Sequence, residues 1–354
     1  MERSSRAARP PSNADTLTPP GPGPTGRSGA APWWMLRARS HGVDRLLSRA
    51  TRSVTGLVQL APGTLEARLF RLAGPGADVD GGRTNLPLRS VGTTAADKAT
   101  VTFVLASPGR CTMDGHDVAA GDAIVWPSGT SYDGIAPGGY RWATVIVPGS
   151  SLLDLVGSRR GDDDSPRTLR RARMPSSVRS GVRALLREMR AWGPPGRAAL
   201  PDGVGDGWRD RWLGHVAWAL RAAAPAPKPP AGEANAMDLV RAAEACLLGR
   251  LASVVYAEDV CRELGVPERT LDVAFRRILG TSPMRYLEIL RAHAVFLDLR
   301  RADADAPRTV RDAEARAGVT HGARFARRYR TVFGENPADT FRAARAEGAG
   351  ADGR

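Results

Sequence analysis

The chain has 354 residues, enough for two ordinary domains with extensions, and 42% of them are apolar, so a packed core is expected. No apolar run approaches the roughly 18 residues that cross a membrane, and three scattered cysteines favour a reducing cytoplasm over a disulfide framework or metal knuckle. The net charge of +14 suits a polyanionic partner, although nearly all basic residues are Arg, which codon bias in a GC-rich genome also produces.

The first 32 residues are rich in Pro, Gly and Ser and have no apolar core of the kind that a secretory signal needs. We interpret residues 1–32 as a disordered tail or an over-long gene start.

Residues 33–150 contain short β-rich runs, among them VTFVLA (101–106) and YRWATVIVP (140–148), separated by Gly, Pro and Asp turns. The pattern predicts a small antiparallel barrel or sandwich, and its spacing fits a cupin-like barrel. Three aromatic residues either line an effector pocket or belong to the core: Trp126, Tyr132 and Trp142.

A metal-dependent enzyme of this shape would need a cluster of His and carboxylate ligands. His116 is the only histidine between residues 101 and 148. We therefore expect neither a metal site nor a cofactor.

Residues 165–224 carry two runs with helical spacing, VRSGVRALLREMRAW (178–192) and WRDRWLGHVAWALRAA (208–223). They predict a helical connector. Residues 225–236 are rich in Pro and Ala, which is typical of a linker.

The remainder of the chain contains an internal repeat. FRRILGTSPMRY (275–286) and YRTVFGENPADT (329–340) share an aromatic residue, Arg, an apolar residue, Gly and Pro at positions 54 apart. Upstream, EDVCRELGV (258–266) corresponds to RDAEARAGV (311–319) at a spacing of 53. Each copy predicts a short helix, a Gly turn and a second helix that ends at Gly and Pro, which is the outline of a helix-turn-helix.

The segment between the copies, MRYLEILRAHAVFLDLRR (284–301), predicts a helix of about four turns. Its predicted apolar stripe consists of Tyr286, Leu287, Leu290, Ala294 and Leu297. Such a helix can hold two recognition helices about 34 Å apart, the separation of successive major grooves on one face of B-DNA.

Residues 237–346 resemble the DNA-binding domain of the AraC/XylS family of transcription regulators. The stretches that carry the resemblance are LGVPERTLDVAFRRILGTSPMRYLEILRAH (264–293) and GVTHGARFARRYRTVFGENPADTFR (318–342). The implied fold class is α+β multidomain: an N-terminal cupin-like antiparallel β-barrel that serves as a sensor (33–150), a helical connector or dimerisation segment (165–224) and a C-terminal all-α domain with two helix-turn-helix units joined by a linker helix. The implied partners are double-stranded DNA in its major groove, RNA polymerase, a small-molecule effector and a second copy of the chain.

Two residues depart from the family pattern. Glu314 stands where the family usually has a small residue, and Val319 replaces an aromatic residue in the second turn. A carboxylate at a close helix crossing must be paired or displaced to the surface.

The second helix of each unit is the predicted recognition helix. Arg269 and Arg327 are the leading candidates for contacts to guanine, whereas Arg276 and Arg330 are expected to hold phosphates. Asp272 would repel phosphate but can accept a hydrogen bond from cytosine N4, and His321 either caps its helix or contacts the groove. The complete set of predicted DNA-binding residues is Arg269, Thr270, Asp272, Val273, Arg276, His321, Gly322, Arg324, Arg327 and Arg330.

The sequence therefore predicts a cytoplasmic, sequence-specific transcription factor that is not an enzyme. Two alternatives stay open: a cupin-type metalloenzyme fused to a degenerate DNA-binding tail, and a non-specific architectural DNA binder.

Overall fold

The strand-rich part of the chain forms two antiparallel sheets. The computed structural model describes residues 33–41, 54–126, 128–148, 169–192, 196–301 and 308–351, so the predicted tail, 1–32, lies outside the described residues. The strands of the described part are β1 Trp34–His41, β2 Val54–Gln59, β3 Glu66–Gly74, β4 Ala77–Thr84, β5 Leu88–Thr93, β6 Lys98–Ala106, β7 Cys111–Met113, β8 His116–Val118, β9 Asp122–Trp126, β10 Ser131–Ala136, β11 Arg141–Pro148, β12 Arg170–Arg173, β13 Gly196–Ala199 and β14 Ala224–Pro225.

The larger sheet has the order β13-β1-β3-β4-β11-β6-β9-β12-β14, and the smaller has the order β2-β5-β10-β7-β8. Within the described residues the strands thus form two sheets and not one closed barrel. The segment expected to be a helical connector supplies β12, β13 and β14 to the larger sheet, in addition to its helices.

The helices of the described part are α1 Ser176–Ala191, α2 Val204–Ala222, α3 Ala231–Gly249, α4 Ala257–Leu264, α5 Glu268–Leu279, α6 Pro283–Leu299, α7 Val310–Arg316, α8 Gly322–Phe333 and α9 Pro337–Ala351. Helix α1 buries Val182, Leu185, Leu186 and Met189, the four positions that its 3.6-residue period predicts. These side chains join one core with α2 and the larger sheet, in which Trp212, Phe103 and Val145 have no exposed surface.

The repeat has the predicted helix-turn-helix form. Helices α4 and α5 make the first unit, and α7 and α8 the second. Gly265, Gly280 and Gly334 end their helices in the left-handed conformation, with φ of 65°, 71° and 80°. A residue with a Cβ is strained at such a φ, which explains why glycine recurs there.

Helix α6 joins the two units and is about 25 Å long at 1.5 Å per residue. Tyr286, Leu287 and Leu290 of its N-terminal half are buried with α3 and α5. The prediction that the same stripe continues through Leu297 is wrong, because Leu297 is 37% exposed. The C-terminal half turns a different face, with Val295, Phe296 and Leu299, towards α7, α8 and the smaller sheet. The buried face shifts because the helix packs against different elements along its length.

Candidate DNA-binding surface

Helix α5 buries one face and exposes the other. Leu271, Ala274, Phe275 and Leu279 are buried. The predicted contact residues Arg269, Thr270, Val273 and Arg276 are exposed, and Asp272 is half-buried. Val273 leaves 49% of its surface in solvent.

Two of these side chains are already paired with each other. Arg276 Nε donates to Asp272 Oδ2 at 2.6 Å, one helical turn apart. The exposed side of α5 therefore carries a charge-compensated pair and, nearer the start of the helix, the exposed Arg269.

Helix α8 has the same arrangement. Phe325, Tyr329 and Phe333 are buried. The predicted contact residues on its other side, His321, Gly322, Arg324, Arg327 and Arg330, are all exposed. His321 is the N-cap residue, and among the described residues its side chain makes no capping hydrogen bond to α8, so its ring is available to a groove.

Arg328, the remaining arginine of α8, has a structural contact. It forms an ion pair with Glu288 of α6 and is half-buried. This pair holds the recognition helix of the second unit on the linker helix, and it separates Arg328 from the exposed arginines.

Glu314 lies at the crossing of α7 and α8, where it is half-buried. Its Oε2 would lie 3.3 Å from a Cβ placed on Gly322. Burial raises the pKa of Glu314, and the nearby Arg311 lowers it. The predicted conflict at this crossing is relieved by Gly322, because the missing side chain leaves room for the carboxylate. Val319 packs at the edge of the same core.

The three aromatic residues predicted for an effector pocket lie in one cluster of the strand-rich part. The Trp126 and Tyr132 rings are 5.2 Å apart, and Trp142 stacks on Tyr140 at 5.7 Å. Trp126 Nε1 donates to Thr102 Oγ1 at 2.9 Å. Elsewhere, His116 Nδ1 lies 2.8 Å from the Pro227 carbonyl oxygen. In the described ranges no group of three or more His, Cys, Asp or Glu residues is placed to hold a metal ion.

Sequence reasoning missed a buried polar network between the smaller sheet and the helices. Arg89 of β5 is 2% exposed and makes a two-pronged contact with Asp133 of β10, at 2.9 Å and 2.8 Å. Its Nη1 also reaches Glu244 of α3 at 2.7 Å and the Tyr286 hydroxyl of α6 at 2.9 Å. Arg241 of α3 contacts Asp133 as well, at 3.2 Å. A single Arg inside a strand gives no pattern from which these partners could be found.

Burial and the neighbouring charges together account for the pKa shifts in this network. Burial alone would raise the pKa of Asp133, but the hydrogen bond from Arg89 and the charges of Arg89 and Arg241 lower it. The pKa of Asp114, which accepts from Arg241 at 3.0 Å, is raised by burial. Asp133 is thus held ionised between two arginines, as a buried carboxylate requires.

A second contact joins the smaller sheet to the second unit. The backbone N–H of Gln59 donates to His293 Nε2 of α6 at 3.0 Å. Burial lowers the pKa of His293 to about 4, while the hydrogen bond from Gln59 raises it. Gln59 Nε2 lies 2.6 Å from the Val332 carbonyl oxygen in the last turn of α8.

Across the described part of the chain, no helix is long and apolar enough to cross a membrane.

Comparison with known proteins points to the C-terminal segment. A family model described as a helix-turn-helix domain matches residues 260–343. The probable thc operon regulatory protein of Rhodococcus erythropolis is 38% identical over 104 residues, which make up 29% of this chain and 31% of that protein. The chain therefore spans about a third of the length of this curated relative.

Two solved structures were also found to be similar. A probable AraC family transcriptional regulator from Rhodopseudomonas palustris is 30% identical, over 30% of this chain and 97% of its own, with a TM-score of 0.28. The AraC-like transcriptional activator CuxR is 13% identical, over 72% of this chain and 93% of its own, with a TM-score of 0.36.

Proposed function

Because residues 260–343 form a helix-turn-helix domain of the AraC family, we propose that the chain is a sequence-specific DNA-binding regulator of bacterial transcription. The observation that carries the proposal is the repeated recognition helix. In both copies one face is buried, through Leu271, Phe275 and Leu279 in α5 and Phe325, Tyr329 and Phe333 in α8. The opposite face exposes arginines of the kind that pair with bases and phosphates.

Arg269 and Arg327 are proposed to read guanine, since a guanidinium pairs with guanine O6 and N7. Arg276 and Arg330 are proposed to hold phosphates, and Thr270, Val273, Arg324 and His321 to line the two grooves. Val273 suits the methyl group of thymine, because it is an exposed apolar side chain on a recognition helix.

The test is competition binding by the full chain at one fixed salt concentration. The probe is a duplex obtained from a random library by selection with the same protein, and the competitor is random duplex. A specific regulator prefers the selected duplex by about 10³ or more. Equal affinity would support the non-specific architectural binder and reject the proposal.

Regulation is proposed instead of catalysis, since the family match is to a DNA-binding domain. Metal analysis of the purified chain separates the two. Stoichiometric iron, manganese or zinc bound to the strand-rich part would favour the metalloenzyme alternative, and metal-free protein that binds DNA specifically would reject it.

Further partners belong to the same proposal. We assign effector binding to the strand-rich sensor of residues 33–150, near Trp126, Tyr132 and Trp142, and a homodimer contact to the connector of residues 165–224. The DNA-binding domain, 237–346, follows the linker of residues 225–236. We propose that the protein is cytoplasmic and that this domain, when bound at a promoter, recruits RNA polymerase to it. Light scattering of the full chain tests the dimer: a mass of one chain at micromolar concentration would reject it.

A further inference from the structure

The two recognition helices end in the same way but in different surroundings. Gly280 and Gly334 are equivalent C-cap glycines with φ of 71° and 80°. A Cβ placed on Gly280 would meet nothing within 4 Å, whereas one on Gly334 would lie 2.6 Å from Thr64 Oγ1. Thr64 belongs to the segment between β2 and β3, so the strand-rich part covers the end of α8 at a point where α5 has open space.

The same segment satisfies carbonyl groups at the end of α8. The last carbonyls of a helix have no partner within the helix. The N–H of Gly63 donates to the Thr331 and Val332 carbonyl oxygens at 3.3 Å and 3.1 Å. The Gln59 side-chain amide reaches the Val332 carbonyl as well, and it also binds the carbonyls of Ala61 and Gly63 at 2.7 Å each.

The backbone of Gln59 is held as well as its side chain. Gln59 is 1% exposed, and its backbone N–H donates to His293 of α6. A buried hydrogen-bonding group that loses its partner destabilises the fold. Strand β2, helix α6 and the end of α8 are therefore held in one arrangement by buried groups.

We propose that Gln59 and the segment 61–64 are positioning residues for the second recognition helix. Through them, the strand-rich part determines the affinity of α8 for its half of the DNA site, independently of the affinity of α5 for the other half. The inference rests on the proposed DNA-binding function. None of these residues contacts DNA; they act on α8 through its last turn.

The test uses the full chain and the duplex selected by it. Each half of the duplex is scrambled in turn, and the loss of affinity is measured for wild type and for Gln59→Met, which keeps the side-chain length and removes the amide. The half read by α8 is identified as the one whose scrambling no longer matters in Arg327→Ala. Thr93→Val is the matched control, because it removes a side-chain hydrogen bond with Ser131 at the other end of β5.

In Gln59→Met the penalty for scrambling the α8 half is expected to fall by about tenfold, the scale of one lost buried hydrogen bond, while the penalty for the α5 half and both penalties in Thr93→Val stay unchanged. Equal changes in both halves, or no change in either, would overturn the inference and leave the proposed function standing. Failure to select any preferred duplex would reject the proposed function, and the inference with it.

A second set of variants tests the inference if Gln59→Met is poorly folded. Gly280→Ala and Gly334→Ala introduce the same strain at equivalent caps, but only the second displaces Thr64. We expect Gly334→Ala to melt at a lower temperature and to weaken the α8 half, and Thr64→Ala to return the double variant to the level of Gly280→Ala. No recovery in the double variant would contradict the inference.

Discussion

At the scale of single residues, the predicted contact face of α5 carries the Asp272–Arg276 pair and the exposed Arg269. Asp272 and Arg276 neutralise one another across one turn, with side chains 36% and 64% exposed. Arg269 is exposed at the start of the same helix. An ion pair this open to solvent contributes little to stability, so its effect is expected in DNA binding. Under the proposed function, we expect Asp272 to compete with DNA phosphate for Arg276.

Asp272→Asn removes the carboxylate and releases Arg276. We expect tighter binding to random DNA and a salt dependence steeper by about one counterion, because one more phosphate contact is made. The measurement is affinity for random duplex across a salt series. Glu188→Gln is the control, since it breaks an exposed pair with Arg211 in the connector. Weaker binding in Asp272→Asn would mean that Asp272 orients Arg276 for DNA instead of restraining it.

At the scale of elements, the two helix-turn-helix units place a carboxylate on opposite helices at one pair of equivalent positions. In the second unit it is Glu314 on the first helix, facing Gly322. At the corresponding positions of the first unit stand the buried Cys261 and, on the second helix, Glu268. The small residue and the carboxylate have exchanged places, so the departure at Glu314 is compensated inside its own unit.

The raised pKa of Glu314 predicts the direction in which the stability of this unit changes with pH. A carboxyl whose pKa is higher in the folded state binds its proton more tightly there, so stability falls as pH rises from the ordinary glutamate pKa through the folded value. Glu314→Gln is therefore expected to raise the melting temperature at neutral pH and to lose this advantage in acid. A lower melting temperature at neutral pH would contradict the assignment.

The double variant Glu314→Ala with Gly322→Glu copies the order of the first unit. It is expected to melt above Gly322→Glu alone, since a carboxylate at position 322 would otherwise meet Glu314. Additive losses in a double-mutant cycle would show that the two positions are independent.

The sequence predicted the repeat because its periods and caps are local. The 3.6-residue apolar period and the Gly at each helix end can be recognised within a dozen residues. They also predict which side chains of α5 and α8 point away from the core. Short strands such as β14, with two residues, carry no such period. The contacts of Arg89 with Tyr286 and of Gln59 with Val332 join residues 197 and 273 positions apart, and neither polar side chain belongs to a local sequence pattern.

At the scale of the whole molecule, buried polar groups of the smaller sheet join the strand-rich part to the DNA-binding domain. His293 is 4% exposed and accepts a hydrogen bond through Nε2, so its neutral ring carries the proton on Nδ1. Arg89 reaches the same helix, α6, through Tyr286. Both contacts depend on a fixed charge state.

Acid is expected to weaken the His293 contact. Its pKa is lowered to about 4, so the unfolded chain takes up a proton before the folded one does, and the stability is complete above the ordinary histidine pKa and is lost as pH falls towards 4. One such group contributes up to about 3 kcal/mol over this window. His293→Gln keeps an acceptor for the Gln59 N–H but does not titrate, so its unfolding free energy should change less between pH 7 and pH 5. An identical pH dependence would exclude His293 as the cause.

Arg89→Met is expected to cost about 3–5 kcal/mol of unfolding free energy, because Asp133 and Glu244 would lose a buried partner. Arg241→Met is the matched control: it contacts the same Asp133, but its side chain is 40% exposed, and an exposed pair is worth about 1 kcal/mol or less. Urea denaturation measures both. Equal losses of unfolding free energy in the two variants would show that the burial of Arg89 does not make its contact with Asp133 more stabilising than that of Arg241.

The central claim, that two recognition helices read two adjacent stretches of DNA, is tested most directly by repeating the selection from random duplex with wild type, Arg269→Ala and Arg327→Ala. We predict that each variant loses preference at one base position, at a cost of about 1–3 kcal/mol, and that the two positions lie about one helical turn, 10–10.5 base pairs, apart. Loss at the same position in both variants, or uniform weakening on every sequence, would contradict the claim.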